Sequence, residues 1–301
     1  MLLSVVTPSY QQGRFLERTL ESVWAQNRGS LAGAIEHIVM DGGSTDGTLE
    51  ILSRWNGRIS FTSERDGGQA AAINAGLARA SGEILAYLNS DDVYYRDAAA
   101  AAVAAFERDP SADVVYGDAE LIDDADRCIG HYPTEDWSIE RLKVFCFLCQ
   151  PAVFFRRRVF EQFGPFDARL AYSMDYEYWL RLGMRGVRFV HIPVRLAASR
   201  VHPATKTRRR PAEAVEETNT MLEKYLGRVP DSWLWNYAYA VQDQRGIART
   251  SSLGYLTRVA LLSIGAAFRW NGYPSISLVR TLASWLVRGS STVRPQAIDH
   301  A

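Results

Sequence analysis

Short apolar runs alternate with helical patterns through the first 118 residues, and this alternation restricts the fold more than any other feature. "LLSVVTP" (2–8) has the pattern of a buried strand ended by Pro8. "FLERTLESVWAQ" (15–26) follows, with Phe15, Leu16, Leu20 and Val23 at helical spacing. "IEHIVMD" (35–41) and "GTLEILSRW" (47–55) repeat the pair, as do "RISFTSE" (58–64) with "QAAAINAGLARA" (69–80). "EILAYLN" (83–89) is followed by an alanine-rich helical stretch (97–108), and "DVVYGD" (113–118) is a fifth strand. Strands this apolar, each followed by a helix, predict an α/β fold whose parallel sheet is covered on both faces. Ligands bind such sheets outside the carboxyl ends of the strands. Polar residues gather at those ends: Ser9 and Tyr10, Asp41, Glu64 to Asp66, and Asn89 to Asp92. Four strand ends thus form one rim of the kind that holds a nucleotide.

The middle third is less regular. "QPAVFFRRRVFEQFGPFD" (150–167) predicts a strand and a short helix, and "MDYEYWLRLGMRG" (174–186) a helix ending at Gly183 or Gly186. "VRFVHIPVRLAASRVH" (187–202) is a strand or a hairpin. The basic stretch "TKTRRRP" (205–211) is the expected boundary between a domain of residues 1–210 and a helical extension of residues 211–301.

The 301 residues carry no net formal charge, which gives no reason to expect a nucleic-acid partner. Cys128 stands apart from Cys146 and Cys149; the latter pair has CxxC spacing, but no second pair completes a zinc site. Apolar neighbours predict buried free thiols in a reducing, cytoplasmic setting. The start lacks the charge and apolar length of a signal peptide, and no apolar run approaches the roughly 20 residues that span a bilayer. A soluble or peripheral protein is expected, the peripheral case placing it at the cytoplasmic face of the inner membrane.

Three further stretches carry chemistry. In "DGGSTDGT" (41–48), Gly42 and Gly43 permit a tight turn, Ser44 or Asp46 can cap the next helix, and Asp41 can accept the N–H of a base ring. The structural alternative is a simple strand-to-helix turn. "SERDGGQAAAINAG" (63–76) repeats the arrangement, with Asp66 and Gln69 on the rim of Asp41. "YLNSDDVYY" (87–95) sets Asp91 beside Asp92 after an apolar strand. A helix cap employs one of these carboxylates and leaves the other; Mg2+ or Mn2+ shared with substrate phosphates employs both.

Taken in order, "VVTPSYQQGRFL", "IVMDGGSTDGT", "SERDGGQAAAINAGLARASGEILAYLNSDD" and "VYGD" resemble family 2 glycosyltransferases. The resemblance continues through "QPAVFFRR", "FGPFD", "MDYEYWLRL" and the histidine of "SRVHPATKT", over roughly residues 2–207. It implies the GT-A fold: a Rossmann-like mixed sheet flanked by helices, here with a C-terminal helical extension. It also implies a nucleotide-diphosphate sugar, UDP-linked in preference, as donor and a glycan or lipid-linked hydroxyl as acceptor. Position by position, Pro8, Ser9, Tyr10 and Asp41 match the base and ribose region, and Asp66 a further nucleoside contact. Gln69 lies beside them. Asp92 matches the metal ligand of the DxD-type element and Asp91 a contact to ribose or donor sugar, while Asn89 stands where an acid is commoner. Asp175 matches the general base, with Met174 in place of the usual Glu. For Asp175 alone, the structural alternative is a helix N-cap. Glu177 reads as a solvated or supporting group, and of Tyr178 and Trp179 at least one as core. His202 matches a downstream ligand of metal or diphosphate, and Lys206 with Arg208 to Arg210 form either a basic lid or a solvated linker.

Three other classes fit less well. A nucleotidyltransferase would carry a glycine- and base-rich phosphate loop after strand one, where "TPSYQQGRFL" has one Gly and one Arg. A dehydrogenase would carry GxGxxG there. A non-catalytic nucleotide-sugar-binding protein would not need both Asp92 and Asp175. In the tail, 255–273 and 275–289 combine aliphatic and Trp faces with regularly placed arginines. Either the region 252–289 lies in a membrane interface, or it packs on the catalytic domain or a second subunit.

Overall fold

The computed structural model describes residues 1–288. The chain divides into two compact units, Met1–Ile139 with Phe147–Val201, and Glu140–Cys146 with the residues from His202 onward. The rest of the expected 211–301 extension, and the last residue of the 252–289 tail stretch, lie outside the described residues.

The first unit opens with β1 (Leu3–Ser9), α1 (Gly13–Trp24), β2 (Ile35–Asp41), α2 (Thr48–Arg54), β3 (Ser60–Ser63), α3 (Gln69–Arg79) and β4 (Ile84–Tyr87). There follow β5 (Val93–Tyr94), α4 (Ala98–Arg108), β6 (Val114–Ile122), β7 (Cys128–His131) and a short α5 (Ile139–Leu142) that runs across the unit boundary. β8 (Val153–Arg156), α6 (Arg157–Phe163), α7 (Met174–Met184) and β9 (Phe189–Arg200) complete the unit. The sheet order is β3-β2-β1-β4-β8-β6-β9-β5, with β7 paired to β6.

The first four strands pair in parallel, as the alternation predicts. Beyond β4 the sheet is mixed, because β8 enters antiparallel between β4 and β6. β1 does not stop at Pro8 but continues to Ser9. Its odd residues face β2, since the Ser9 carbonyl accepts the Gly42 N–H, and its even residues face β4, since the Val6 carbonyl accepts the Leu88 N–H. The N–H that Pro8 lacks therefore falls on the β4 side, just where β4 has left the ladder. α3 lies close over β1: a Cβ on Gly76 would stand 2.4 Å from Val6 Cγ1, so glycine is what lets the helix pack there. The apolar core between sheet and helices holds Leu3, Val5, Ile84, Ala86, Phe106 and Phe154.

The second unit is helical: α8 (Lys206–Arg209), α9 (Pro211–Leu226), α10 (Asp231–Gln244), α11 (Leu253–Asn271) and α12 (Ile276–Arg288). Pro at the first turn and Gly227 in the left-handed conformation bound α9, the usual asymmetry of helix ends. Trp233, Tyr239, Tyr255, Trp270 and Trp285 are buried among these helices. Among the described residues no helix is long and apolar enough to cross a membrane.

Candidate active site

Strand register builds the rim. Ser9 lies opposite Asp41, and Asp41 opposite Ser63, so three polar residues stand side by side at the carboxyl ends of β1, β2 and β3. The Asp41 carboxylate organises the turn that follows it. Its Oδ2 accepts the Gly43 N–H at 3.1 Å, the Ser44 N–H at 2.9 Å and the Ser63 hydroxyl at 2.6 Å, while Oδ1 accepts the Ser44 hydroxyl at 2.6 Å. With 2% of its surface exposed, Asp41 supplies an acceptor for the buried Ser44 N–H, which water does not reach, and for the more open Gly43 and Ser63 donors. The Ser9 hydroxyl is buried beside it and has no hydrogen-bond partner among the described residues.

The next turn closes against the first. A Cβ on Gly42 would stand 3.1 Å from Asp66 Oδ2 and 3.2 Å from the Tyr10 ring, so Tyr10, Gly42 and Asp66 converge. Tyr10 is 63% exposed, an open aromatic face at the end of the sheet. Asp66 also accepts the Gly68 N–H at 2.7 Å. Asp46, not Ser44, serves the adjoining helix starts: it accepts from the Thr48 hydroxyl at 2.6 Å and from the Gly13 N–H at 2.9 Å, holding α2 and α1 together.

The fourth strand end is tied in by an amide chain. Gln69 Nε2 donates to Asn89 Oδ1 at 2.8 Å, and Asn89 Nδ2 donates to Asp92 Oδ2 at 3.2 Å and to Gln150 Oε1 at 3.0 Å. Gln150 in turn donates to the Tyr87 carbonyl at 2.7 Å. Gln150 was not singled out in the sequence; its part depends on Asn89, far away along the chain. Asn89, where the family more often has an acid, works here as a donor toward Asp92.

Asp91 and Asp92 differ in surroundings. Asp92 is 3% exposed, and Oδ1 accepts the Arg200 backbone N–H at 2.8 Å. Burial first, and then the charge of Asp91, push the Asp92 carboxyl well above the usual carboxylate range. The Asp91 carboxylate is half-buried and within 3.5 Å of Gln12 Nε2. The Arg200 side chain does not neutralise Asp92. Its guanidinium takes the Asp91 carbonyl at 2.8 Å, the Asp123 carbonyl at 2.7 Å and Asp126 Oδ1 at 2.5 Å, and lies over the Phe15 ring. With its guanidinium spent on carbonyls and on Asp126, Arg200 therefore fixes the backbone of the aspartate pair. Oxygen donors of this kind, close to a phosphate-type rim, fit Mg2+ or Mn2+.

Asp175 sits inside the first turn of α7, not at its cap, which is Ser173. Its Oδ1 accepts the Tyr176 N–H at 2.7 Å. The helix is anchored to α3 through the turn at 163–167. Asn74 on α3 donates to the Phe166 carbonyl and accepts its N–H, at 2.8 and 2.9 Å. Phe166 stacks on Tyr178, with ring centroids 4.1 Å apart. Arg181 donates to the Phe163 and Pro165 carbonyls at 2.6 and 2.8 Å and pairs with Glu177 at 2.9 Å. Glu177 is thus not solvated: it is a buried carboxylate that orients Arg181. Tyr178 and Trp179 are both core.

His202 opens the second unit and is buried; its N–H donates to Thr205 Oγ1 at 3.1 Å. Lys206 follows on α8 and is exposed, its pKa lowered by partial desolvation. Of the cysteines, Cys149 is buried, Cys146 half-buried and Cys128 exposed at a hairpin edge, so of the CxxC pair only Cys149 is fully buried.

Residues 4–164 match the family model for glycosyl transferase family 2. The chain belongs to that family. An uncharacterized glycosyltransferase of Rickettsia prowazekii is 26% identical over 288 residues, 90% of this chain and 81% of the relative. A PGL/p-HBAD biosynthesis glycosyltransferase of Mycobacterium tuberculosis is 30% identical over 202 residues, 64% of this chain and 75% of that one. Among solved structures, S. aureus TarS 1–349 in complex with UDP-GlcNAc superposes with a TM-score of 0.64 at 16% identity, covering 96% of this chain and 93% of TarS 1–349. The mannosyltransferase PcManGT of Pyrobaculum calidifontis, in complex with GDP-Man and Mn2+, gives 0.60 at 19% identity over 95% of this chain and 79% of its own. The glycosyltransferase therefore has the GT-A fold, with helices following the catalytic sheet.

Proposed function

We propose that this glycosyltransferase moves a sugar from a nucleotide-diphosphate sugar to a hydroxyl with inversion, by a single displacement. The observation that carries this reading is the rim: register and hydrogen bonds join Ser9, Asp41 and Ser63, and a second set of hydrogen bonds joins Gln69, Asn89 and Asp92, at the carboxyl ends of neighbouring strands. In this reading the exposed Tyr10 ring, Pro8, the unpartnered Ser9 hydroxyl and the remaining lone pair of Asp41 Oδ1 receive base and ribose, and Asp66 closes the pocket from the third strand end. Asp91 contacts ribose or donor sugar. Asp92 holds the divalent metal, and His202, two residues after Arg200 in the chain, is proposed as a further donor to metal or diphosphate on its place in the sequence alone. Bound there, the metal offsets charge on the departing diphosphate.

Asp175 is the base. It takes the acceptor hydroxyl's proton as that oxygen bonds to the anomeric carbon and the carbon–oxygen bond to the diphosphate breaks. Such proton transfer contributes about 10²–10⁴-fold in rate. The neighbours that bind UDP-GlcNAc and GDP-Man support a nucleotide-sugar donor without choosing its base. The test is release of nucleoside diphosphate from UDP- and GDP-sugars with acceptor present, with and without EDTA. Asp175→Asn abolishes turnover and leaves metal-dependent nucleotide binding intact; near-native turnover in that variant removes the base assignment.

The acceptor is proposed to be lipid-linked or a glycan of the cell surface, and the tail to rest on an anionic membrane. Leu261 and Phe268 on α11, and Ile276 and Val287 on α12, are exposed. Residues 253–288 carry Arg258, Arg269, Arg280 and Arg288 and no acid. Exposed apolar side chains among cations match an anionic lipid interface better than a solvated helix face.

A further inference from the structure

The β6–β7 hairpin brings together groups that sugar transfer does not use. β7 sets His131 opposite Glu120, Gly130 opposite Leu121, and Cys128 opposite Ile122, with the register shifting between Leu121 and Ile122. Ile129 is the extra residue of a bulge. In an unbroken strand Cys128 and His131, three positions apart, would point to opposite faces. The bulge returns Cys128 to the face that His131 shares with Glu120. One thiol, one imidazole and one carboxylate then offer ligand atoms all within 4.8 Å of one another. Glu120 is buried while Cys128 and His131 are exposed, so the group is walled on one side and open to solvent on the other. Cys128 forms no disulfide, and its Sγ makes a 3.4 Å contact with the Gly130 carbonyl. His131 Nδ1 lies 3.8 Å from Glu120 Oε1.

We propose that Glu120, Cys128 and His131 form a second metal site, selective for a thiophilic cation of the zinc type and separate from the site at Asp92. One sulfur, one nitrogen and one oxygen with a solvent-facing fourth position is a donor set for Zn2+. Mg2+ and Mn2+ would prefer the oxygens of the aspartate pair. Zinc–ligand bonds of about 2.0–2.3 Å put tetrahedral donor atoms roughly 3.3–3.8 Å apart, so closure asks for about 1 Å of side-chain movement. On binding, the Cys128 thiol gives its proton to solvent as the sulfur–metal bond forms. Glu120 Oε1 leaves the Arg195 guanidinium for the metal, while Oε2 keeps the Tyr95 hydroxyl. Arg195 is an exposed side chain and is released to water. It is the built-in competitor of the metal. The hairpin turn also carries Asp123 and Asp126, which hold Arg200, so an occupied site stiffens the support of the aspartate pair.

The experiment titrates the full-length chain with Co2+ as a spectroscopic probe, then with Zn2+ in competition. Stoichiometric Co2+ is expected to give a thiolate-to-cobalt charge-transfer band, which Zn2+ abolishes. Cys128→Ser removes the band, His131→Ala weakens Co2+ binding at least about tenfold, and Arg195→Ala tightens it. All three positions are exposed, and thermal melts confirm that the variants fold. Asp92→Asn leaves the band unchanged, which separates this site from the donor-side metal. Absence of a thiolate band in the wild-type chain overturns the proposal, as does a band that survives Cys128→Ser.

Discussion

Asp41 gives the sharpest test of how the rim is built. Four donors reach its carboxylate, and two of them are the backbone N–H groups of Gly43 and Ser44. Asp41→Ala strands the buried Ser44 N–H, whereas Gly43 is exposed and its N–H can turn to water. A buried donor left without an acceptor costs about 1–3 kcal/mol; the exposed Gly43 N–H and the Ser44 and Ser63 hydroxyls, which can rotate, add less. Asp41→Asn behaves differently. Its amide oxygen can take the Oδ2 place and keep both N–H groups, while its NH₂ donates to the Ser44 hydroxyl, which can accept. The loss is then the charge assistance alone, about 1 kcal/mol. Urea denaturation of the three proteins, without nucleotide, measures the difference directly. The Ala variant falls well below the Asn variant, and UDP affinity by calorimetry falls in the same order because the turn carries Gly42 and its neighbours Tyr10 and Asp66. Equal losses in the two variants, or no loss in either, would show that the carboxylate does not organise the turn.

Three further outcomes follow from other residues. His37, buried and paired with the Thr7 hydroxyl at 2.9 Å, has its pKa lowered by burial from 6.5 to about 3. Between those values the unfolded chain binds the extra proton, so stability falls as pH drops: about 2 kcal/mol is lost by pH 5. Urea midpoints at pH 7.5 and 5 should diverge less in His37→Gln, and an equal divergence refutes the assignment. Asn89→Asp sets a third carboxylate where the amide now donates to Asp92 at 3.2 Å, which destabilises the metal-free protein by about 2 kcal/mol. Melting temperatures in EDTA and in Mn2+ check it: the deficit shrinks with metal, and a deficit indifferent to metal speaks against a cation beside Asp92. For the tail, replacing Phe268 and Ile276 together by Glu should lower flotation with anionic liposomes at least about tenfold, since burying each side chain is worth about 1.5–3 kcal/mol; unchanged flotation removes the membrane reading.

What could be read from the chain depended on how local the cause was. The parallel half of the sheet was legible because each strand and helix announces itself within a dozen residues, and α9 begins at Pro211, where the helical extension was expected to start. Strand β6 runs four residues past the expected end at Asp118, because Glu120 interrupts the apolar pattern. That acid is tolerated in a buried strand through Arg195 and Tyr95, which no local pattern reveals. The region 187–202, ambiguous between strand and hairpin, holds the single strand β9. Pro193 does not break it because the pairing with β6 shifts register between Gly117 and Ala119, where a residue without an N–H costs no ladder bond. The rim residues were legible for the same reason as the strands: each ends one or lies within a few residues of its end. Gln150, Asn74 and Arg200 were not, since their partners lie 61, 92 and 109 positions away.

That division explains the chemistry of the aspartate pair. A strand end can be read as acidic, but whether the acid is neutralised depends on the third dimension. Here the nearest guanidinium, on Arg200, is spent on two carbonyls and on Asp126, and it reaches Asp92 only through its backbone N–H. Asn89 supplies a neutral donor in a place where a carboxylate would have repelled Asp92. The surroundings of Asp92 therefore hold its geometry without cancelling its charge. A buried carboxylate ion-paired to arginine would be stable and inert toward a metal; one braced by neutral N–H donors stays costly to ionise until a cation arrives. The fold keeps that cost at the end of β4, beside the residues that register brings from β1, β2 and β3, which is where a diphosphate and its metal would relieve it.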